Sequence, residues 1–340
     1  MRPLNTVLDR ISAGVHLCAD ESHALFGQVI SGELEPVEIA ALLIALKTRG
    51  EQVNEIVGAA RAMRENAKPF ETPNYLFADN CGTGGDGLGT INVSTAAAFV
   101  AAELGVPVAK HGNRSVSSRC GSADLLEACG VEISIPAERS RQCLDQVGVC
   151  FLFAPDYHAG VRYAMAVRKR LKTRTLFNLL GPLANPAKPP VQLLGVYDKR
   201  WVLPLAESLG ELGCTSAMVV HGGGLDEIAL HAPTAVAMLK DGKLDCFELE
   251  PGDLGLERYP LDALQGGGPE DNAAWLIALL GGQGKPAHRA AVAMNAGALV
   301  WLAGNYDDLA EAVQAALQVL NEDHALQRLT RLKELSRGAD

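Results

Sequence analysis

Nowhere in the 340 residues does an apolar run approach the ~20 needed to cross a bilayer. The opening stretch MRPLNTVLDRISAG has polar residues every few positions, so it is not expected to act as a secretory signal. Positive charge is in deficit: 30 Lys and Arg stand against 40 Asp and Glu, a formal net charge of −10. That excludes general nucleic-acid binding, which needs basic side chains clustered on one face. Cysteine pairs spaced C-x-x-C are also missing. The eight cysteines lie scattered among small apolar residues, the pattern of reduced, mostly buried thiols in a cytoplasmic protein. A zinc site or a disulfide framework is not expected. Aromatic residues make up only 5%, whereas hydrophobic residues reach 48% and glycines number 35, the make-up of a globular α/β enzyme. Any anionic ligand must be met by local positive groups or by a metal ion.

Residues 1–70 read as a small helical domain. Leu4, Val7, Leu8 and Ile11 share one helix face, Asp20 and Gly32 bracket a second helix, and PVEIAALLIALKTRG starts on Pro36 and stops on Gly50. VNEIVGAARAMREN supplies a fourth helix, and the bundle is expected to keep one face for a partner. From about residue 71 to 340, short apolar strands alternate with helices. The expected strands are YLFAD, VPVAKH, VCFLF, QLLGVY, SAMVVH, AVAML and CFELE, with helices such as STAAAFVAAELG and WVLPLAESLGELG between them. Such alternation predicts an α/β fold with a central, mostly parallel sheet flanked by helices. Its ligands should bind outside the carboxyl ends of the strands. NPAKPP (185–190) and LQGGGPEDN (264–272) read as loops.

Four segments carry chemistry. CGTGGDGLGTINVST (81–95) matches G-x-G-x-x-G at Gly82, Gly84 and Gly87, yet a dinucleotide site fits poorly. The best helix caps, Ser94 and Thr95, come several residues late, Asp86 would repel a bare pyrophosphate, and the next strand ends in Lys110 and His111 rather than an acid. A glycine nest followed by a helix N-terminus, with Thr90, Asn92, Ser94 and Thr95 as donors, suits phosphate; a serine-capped turn is the plainer alternative. KHGNRSVSSRCGSADLLE (110–127) reads as a second phosphate cradle, with Ser122 and Asp124 starting the next helix, or else as a solvated basic loop. In HGGGLDEIAL (221–230), Asp226 and Glu227 are hard oxygen donors suited to magnesium, or a surface turn. The fourth, YHAGVRYAMAVRKRLKTRTLFNLLGPLANP (157–186), concentrates basic residues between Arg162 and Arg174, and an Arg fork there could grip a carboxylate.

In order and spacing, GTGGDG, NVST, KHGNRSVSS, GSAD, YH…R, FNLLGPLANP and HGGGLDE resemble the anthranilate phosphoribosyltransferase family along nearly the whole chain. Cys81 and Cys120 stand where other small residues are more often expected. The resemblance implies transfer of the phosphoribosyl group of 5-phosphoribosyl 1-diphosphate to the amine of anthranilate, in tryptophan biosynthesis. It also implies a cytoplasmic homodimer meeting through the helical domain, and a segment around 165–190 that returns to that domain. By the same resemblance, Gly82, Gly85, Asp86, Thr90, Asn92, Val93, Ser94 and Thr95 contact phosphoribosyl diphosphate. So do Lys110, His111, Gly112, Asn113, Arg114, Ser115, Val116, Ser117, Ser118 and Ser122. Gly82, Asn113, His158, Arg168 and Gly181 are implied for anthranilate, with Pro182 nearby. Ser94, Asp226 and Glu227 are the implied ligands of Mg2+, two ions with the bound diphosphate, and Lys110, Asp226 and Glu227 the catalytic set. Asp86 is then tolerable among phosphates because a cation arrives with them. A pyrimidine-nucleoside phosphorylase is the nearest rival, but it lacks the HGGGLDE acids and the Asn113/Arg168 combination.

Overall fold

The computed structural model describes residues 4–115 and 119–338. The chain opens with four helices, α1 (Leu4–Ser12), α2 (Ala19–Ser31), α3 (Pro36–Arg49) and α4 (Val53–Glu65). Pro36 takes the first turn of α3, where its missing N–H costs nothing, and Gly32 ends α2 in the left-handed region at φ 78°. Asp20 does not cap α2. The helix starts at Ala19, and Glu21 Oε2 accepts the Cys18 amide at 3.2 Å, so Asp20 falls within the first turn.

Seven strands form one sheet: β1 (Ala78–Gly82), β2 (Val108–Gly112), β3 (Val149–Phe153), β4 (Val191–Gly195), β5 (Ser216–Gly222), β6 (Thr234–Lys240) and β7 (Lys243–Leu249). Their order is β3-β2-β1-β4-β5-β6-β7; the first five run parallel, and β6 and β7 add an antiparallel hairpin. Six lie on the expected apolar runs, and β1 only overlaps the end of its own. Within YLFAD, however, only Ala78 and Asp79 pair, because Phe77 is buried in the core and Tyr75 hydrogen-bonds Asp145 at 2.5 Å. Between and after the strands come α5 (Val93–Glu103), α6 (Ser122–Ala128), α7 (Ala137–Val147), α8 (Ala154–Tyr157), α9 (Arg162–Leu171), α10 (Phe177–Leu183) and α11 (Val202–Glu211). The chain closes with α12 (Pro269–Ala278), α13 (Pro286–Leu302), α14 (Leu309–Val319) and α15 (His324–Ser336). PEDN, expected in a loop, is the first turn of α12, again with proline leading. NPAKPP is a loop but a buried one: Asn185 donates to Asp79 Oδ2 at 2.9 Å and to the Ala109 carbonyl at 2.8 Å.

The period-2 alternation of strand side chains sorts them into two cores. Leu193, Met218 and Val220 pack with α5 and α13, whereas Leu194, Ala217 and Val219 pack with the opening helices, α10 and α11. Ala164 and Val167 of α9 belong to that second core too. The chain steps outward from β1 to β2 and β3, then crosses back to β4 on the other side of β1. That reversal opens a crevice at the carboxyl ends of β1 and β4, the place where open parallel sheets bind ligands.

Candidate functional site

At the mouth of the crevice, β1 and β4 end on glycines in register, Gly82 opposite Gly195. The loop after β5 folds back onto both. A Cβ on Gly82 would lie 2.2 Å from Asp226 Oδ2, and one on Gly195 1.6 Å from the Asp226 carbonyl. The next loop runs through left-handed backbone at Gly84, Gly85, Gly87 and Gly89, with φ from 64° to 79°. Its Gly84 amide donates to Asp226 Oδ2 at 2.7 Å, and Asp86 Oδ1 accepts the Leu88 amide at 3.2 Å. Gly89 and Thr90 are tied to the chain before α12, the Gly266 amide donating to Gly89 O at 2.8 Å.

Neither Ser94 nor Thr95 caps α5. The helix begins at Val93 with Asn92 in the cap position, and Asn92 spends its side chain on the Cys120 carbonyl (3.0 Å) and on Asn272 (2.9 Å). Ser94 is freed for the site. Its amide donates to Glu227 Oε1 at 3.1 Å, while its hydroxyl accepts from Lys110 Nζ at 3.1 Å. Lys110, 3% exposed, also donates to the Asn80 carbonyl at 2.5 Å. Burial raises the pKa of both Asp226 and Glu227; the charge of Asp86 adds to the shift at Asp226, and that of Asp226 to the shift at Glu227. Lys110 partly offsets the shift at Glu227. Two half-buried carboxylates that resist being charged side by side, next to a serine hydroxyl, make a hard oxygen donor set that a divalent cation would relieve. Among the described residues no three His, Cys, Asp or Glu side chains come close enough to enclose a metal. Magnesium fits that limit, since it takes one or two carboxylates and fills its shell with water and substrate phosphate.

The loop after β2 leads into α6 at Ser122, as expected, while Ser122 and Arg114 take other partners. Gly121 holds the cap position of α6, and Asp124 Oδ2 accepts the amides of Gly121 (2.9 Å) and Ser115 (3.0 Å), the supporting role expected of it. Ser122 instead donates to the Asn113 carbonyl at 3.3 Å, and a Cβ on Gly112 would meet the Ser122 hydroxyl at 2.5 Å. Arg114 turns to α6, paired with Glu127 and with Asp124 (3.2 Å) and lying over the Phe153 ring at 5.6 Å. Those acids are its nearest counter-charge. Val116, Ser117 and Ser118 lie outside the described residues.

On the other side of the crevice, His111 Nδ1 lies 3.2 Å from the Gly181 carbonyl, and its ring meets His158 edge-on at 5.2 Å. Burial lowers the pKa of His111 to about 3, helped by His158, and that of His158 to about 4. Both rings are therefore neutral at physiological pH, and each keeps a buried Nε2 without a hydrogen-bond partner among the described residues. Arg168 is held by Asn178 Oδ1 at 3.5 Å and lies over Phe177 at 5.5 Å; burial lowers its pKa. Among the described residues it pairs with no carboxylate, and no hydrogen bond joins it to Asn113. Sequence reasoning missed several parts of this site. Asp79 accepts the His111 amide at 3.3 Å, Asn178 holds Arg168, Gly195 admits Asp226, and Arg174 donates to the Gly85 carbonyl. Asn178 stood in view inside FNLLGPLANP. Gly195 ends a strand rather than opening a glycine-rich loop, and nothing local marks it.

Residues 74–326 match a family model described as glycosyl transferase family, a/b domain, and residues 5–67 match its helical bundle domain. Over 334 residues the chain is 57% identical to anthranilate phosphoribosyltransferase of Sorangium cellulosum (strain So ce56), covering 98% of this chain and 96% of that one. The chain belongs to the anthranilate phosphoribosyltransferase family. The crystal structure of anthranilate phosphoribosyltransferase from Thermus thermophilus superposes with a TM-score of 0.93 at 45% identity, over 97% of this chain and 99% of that one. Anthranilate phosphoribosyltransferase from Saccharomyces cerevisiae, solved in complex with PRPP and Mg, superposes with a TM-score of 0.89 at 26% identity, over 98% of both chains. A small helical unit ahead of a large α/β unit, read from the sequence, is the fold of this family.

Proposed function

We infer that the loops after β1, β2 and β5 hold 5-phosphoribosyl 1-diphosphate together with magnesium, and that Arg168, Asn113, His111, His158 and Gly181 receive anthranilate. As a member of its family, the chain transfers the phosphoribosyl group to the amine of anthranilate, releasing diphosphate, the second step of tryptophan biosynthesis from chorismate. What carries the site assignment is the meeting of Lys110, Ser94, Glu227 and Asp226 beside the glycine loop. Ser94, Asp226 and Glu227 are the proposed holders of magnesium, and two ions accompany the diphosphate. Magnesium, when bound, neutralises negative charge that grows on the leaving oxygens.

Lys110 adds a fixed positive charge at the same place, already aimed by Asn80 and Ser94 and buried where charge counts most. Arg168 offers a partly dehydrated guanidinium fork without a competing carboxylate, which suits the acid group of anthranilate. Gripping the acid group orients the amine toward the ribose, and orientation supplies much of the acceleration in such a reaction. The amine is an aniline, neutral with a free lone pair, so no strong base is needed. His111 agrees: with Nδ1–H donated to Gly181, its Nε2 is an acceptor of very low basicity that can orient the amine without deprotonating it. The same reading divides the chain into a helical body, residues 1–70 with 165–190 returning to it, and an α/β body over the rest of 71–340. It also takes the protein as a cytoplasmic homodimer. Anthranilate fluorescence tests the assignment: its loss should require both phosphoribosyl diphosphate and magnesium. Release of free base from a nucleoside and phosphate would favour a nucleoside phosphorylase instead.

A further inference from the structure

We propose that Arg174 is a positioning residue that couples the donor loop to the carboxylate-binding Arg168, so that a filled diphosphate site tightens the grip on anthranilate. The proposal rests on the site assignment above. Arg174 donates from Nη2 to the Gly85 carbonyl, and its guanidinium lies over the Tyr197 ring at 4.1 Å. Tyr197 is fastened to the same loop, its amide donating to Thr83 Oγ1 at 3.0 Å, while the Thr83 amide donates to Gly195 O at 2.9 Å. Among the described residues Arg174 pairs with no carboxylate, so a backbone carbonyl of the donor loop and a ring beside it are what hold the charge.

Following Arg174 along the chain, the amide of buried Thr175 donates to Asn178 Oδ1 at 3.0 Å. That oxygen is also the acceptor for Arg168 Nη2 at 3.5 Å. A continuous path therefore runs from Gly85 through Arg174, Thr175 and Asn178 to the guanidinium of Arg168. The path is confined at its upstream end. Lys172 closes α9 in the left-handed region at φ 48°, and Thr173 is held by Lys47 of α3. A shift of the Gly85 carbonyl on ligand binding must then move Arg174, and with it the amide that sets Asn178. Flexible loops without such a path would leave the two subsites independent.

Anthranilate binding, followed by its fluorescence with and without magnesium plus inorganic diphosphate, tests the coupling. The intact protein should bind anthranilate about fivefold or more tighter when magnesium diphosphate is present, and Arg174→Ala should bring that ratio close to one. Tyr197→Leu, which removes only the stacking surface, should shrink the ratio in the same direction. Arg174→Lys keeps the charge but loses the planar fork, and is expected to behave as Arg174→Ala does. An undiminished ratio in Arg174→Ala, or full rescue by lysine, would overturn the proposal. Loss of magnesium diphosphate binding itself in Arg174→Ala would also overturn it, by making Arg174 a direct ligand. If the intact protein binds no magnesium diphosphate at all, the site assignment fails, a result separate from any failure of coupling.

Discussion

At the scale of single residues, Glu227 and Asp226 set the tone of the site. Each is half-buried and pushed toward its protonated form by desolvation and by a neighbouring acid, so a cation must displace protons to bind. Apparent magnesium affinity should therefore rise with pH through neutrality, and Glu227→Gln should cut turnover steeply while flattening that dependence. A magnesium titration of activity at two pH values decides it; an unchanged titration in the variant removes the metal role. Arg168→Ala should raise KM for anthranilate by about tenfold or more, the cost of one charge-assisted pair, and leave KM for phosphoribosyl diphosphate nearly unchanged. Equal rises in both constants would point to a folding defect. Gly195→Ala is a sterner case, because the added methyl would occupy the place of the Asp226 carbonyl. It should cost about 1–3 kcal/mol of stability, read from a denaturant midpoint, and should weaken the magnesium response as well. Normal stability and normal metal dependence together would mean the loop after β5 does not need that close approach.

Secondary-structure elements show which parts of this arrangement local sequence can reveal. Six of the seven strands were visible as apolar runs, and the opening helices as 3.6-residue patterns, whereas β1, ADNCG, shares only Ala78 and Asp79 with the run expected for it. The helix caps misread at Asp20 and Ser94 share one cause. A short polar side chain near a helix start has several competing acceptors, and tertiary neighbours choose among them. At α6 Asp124 supports the helix start as expected, whereas at α5 Asn92 was drawn away by Asn272, 180 residues along the chain. The site shows the same division. Glycine-rich and acidic loops announce themselves, but Gly195, Asp79 and Arg174 matter only because of what folds against them. The histidine pair adds a prediction at this scale, since β2 and α8 bring together two rings that are neutral when folded. Unfolded histidine titrates near 6.5, so below that pH the unfolded chain binds protons that the folded chain refuses, and stability falls as pH drops toward the folded values. Each ring should remove roughly 2 kcal/mol at pH 5 relative to pH 7. His158→Gln should recover about one ring's share in urea unfolding at the two pH values; an equal acid loss in the variant would show that the ring ionises without penalty.

Across the whole molecule, the sheet serves as a wall common to two cores. On its second face α11 packs against β5 and β6, and the opening helices lie over α9, α10 and α11 to complete the core that holds Leu194, Ala217 and Val219. The two family models divide the chain between residues 67 and 74, yet no break in packing follows that division. The consequence is practical. Residues 71–340 made alone would expose the apolar faces of α9, α10 and α11 that the opening helices cover and should aggregate, whereas the same piece produced together with residues 1–70 should be rescued as a noncovalent pair with the intact protein's activity. Recovering a soluble, monodisperse 71–340 fragment on its own would show that α9, α10 and α11 need no further helical cladding.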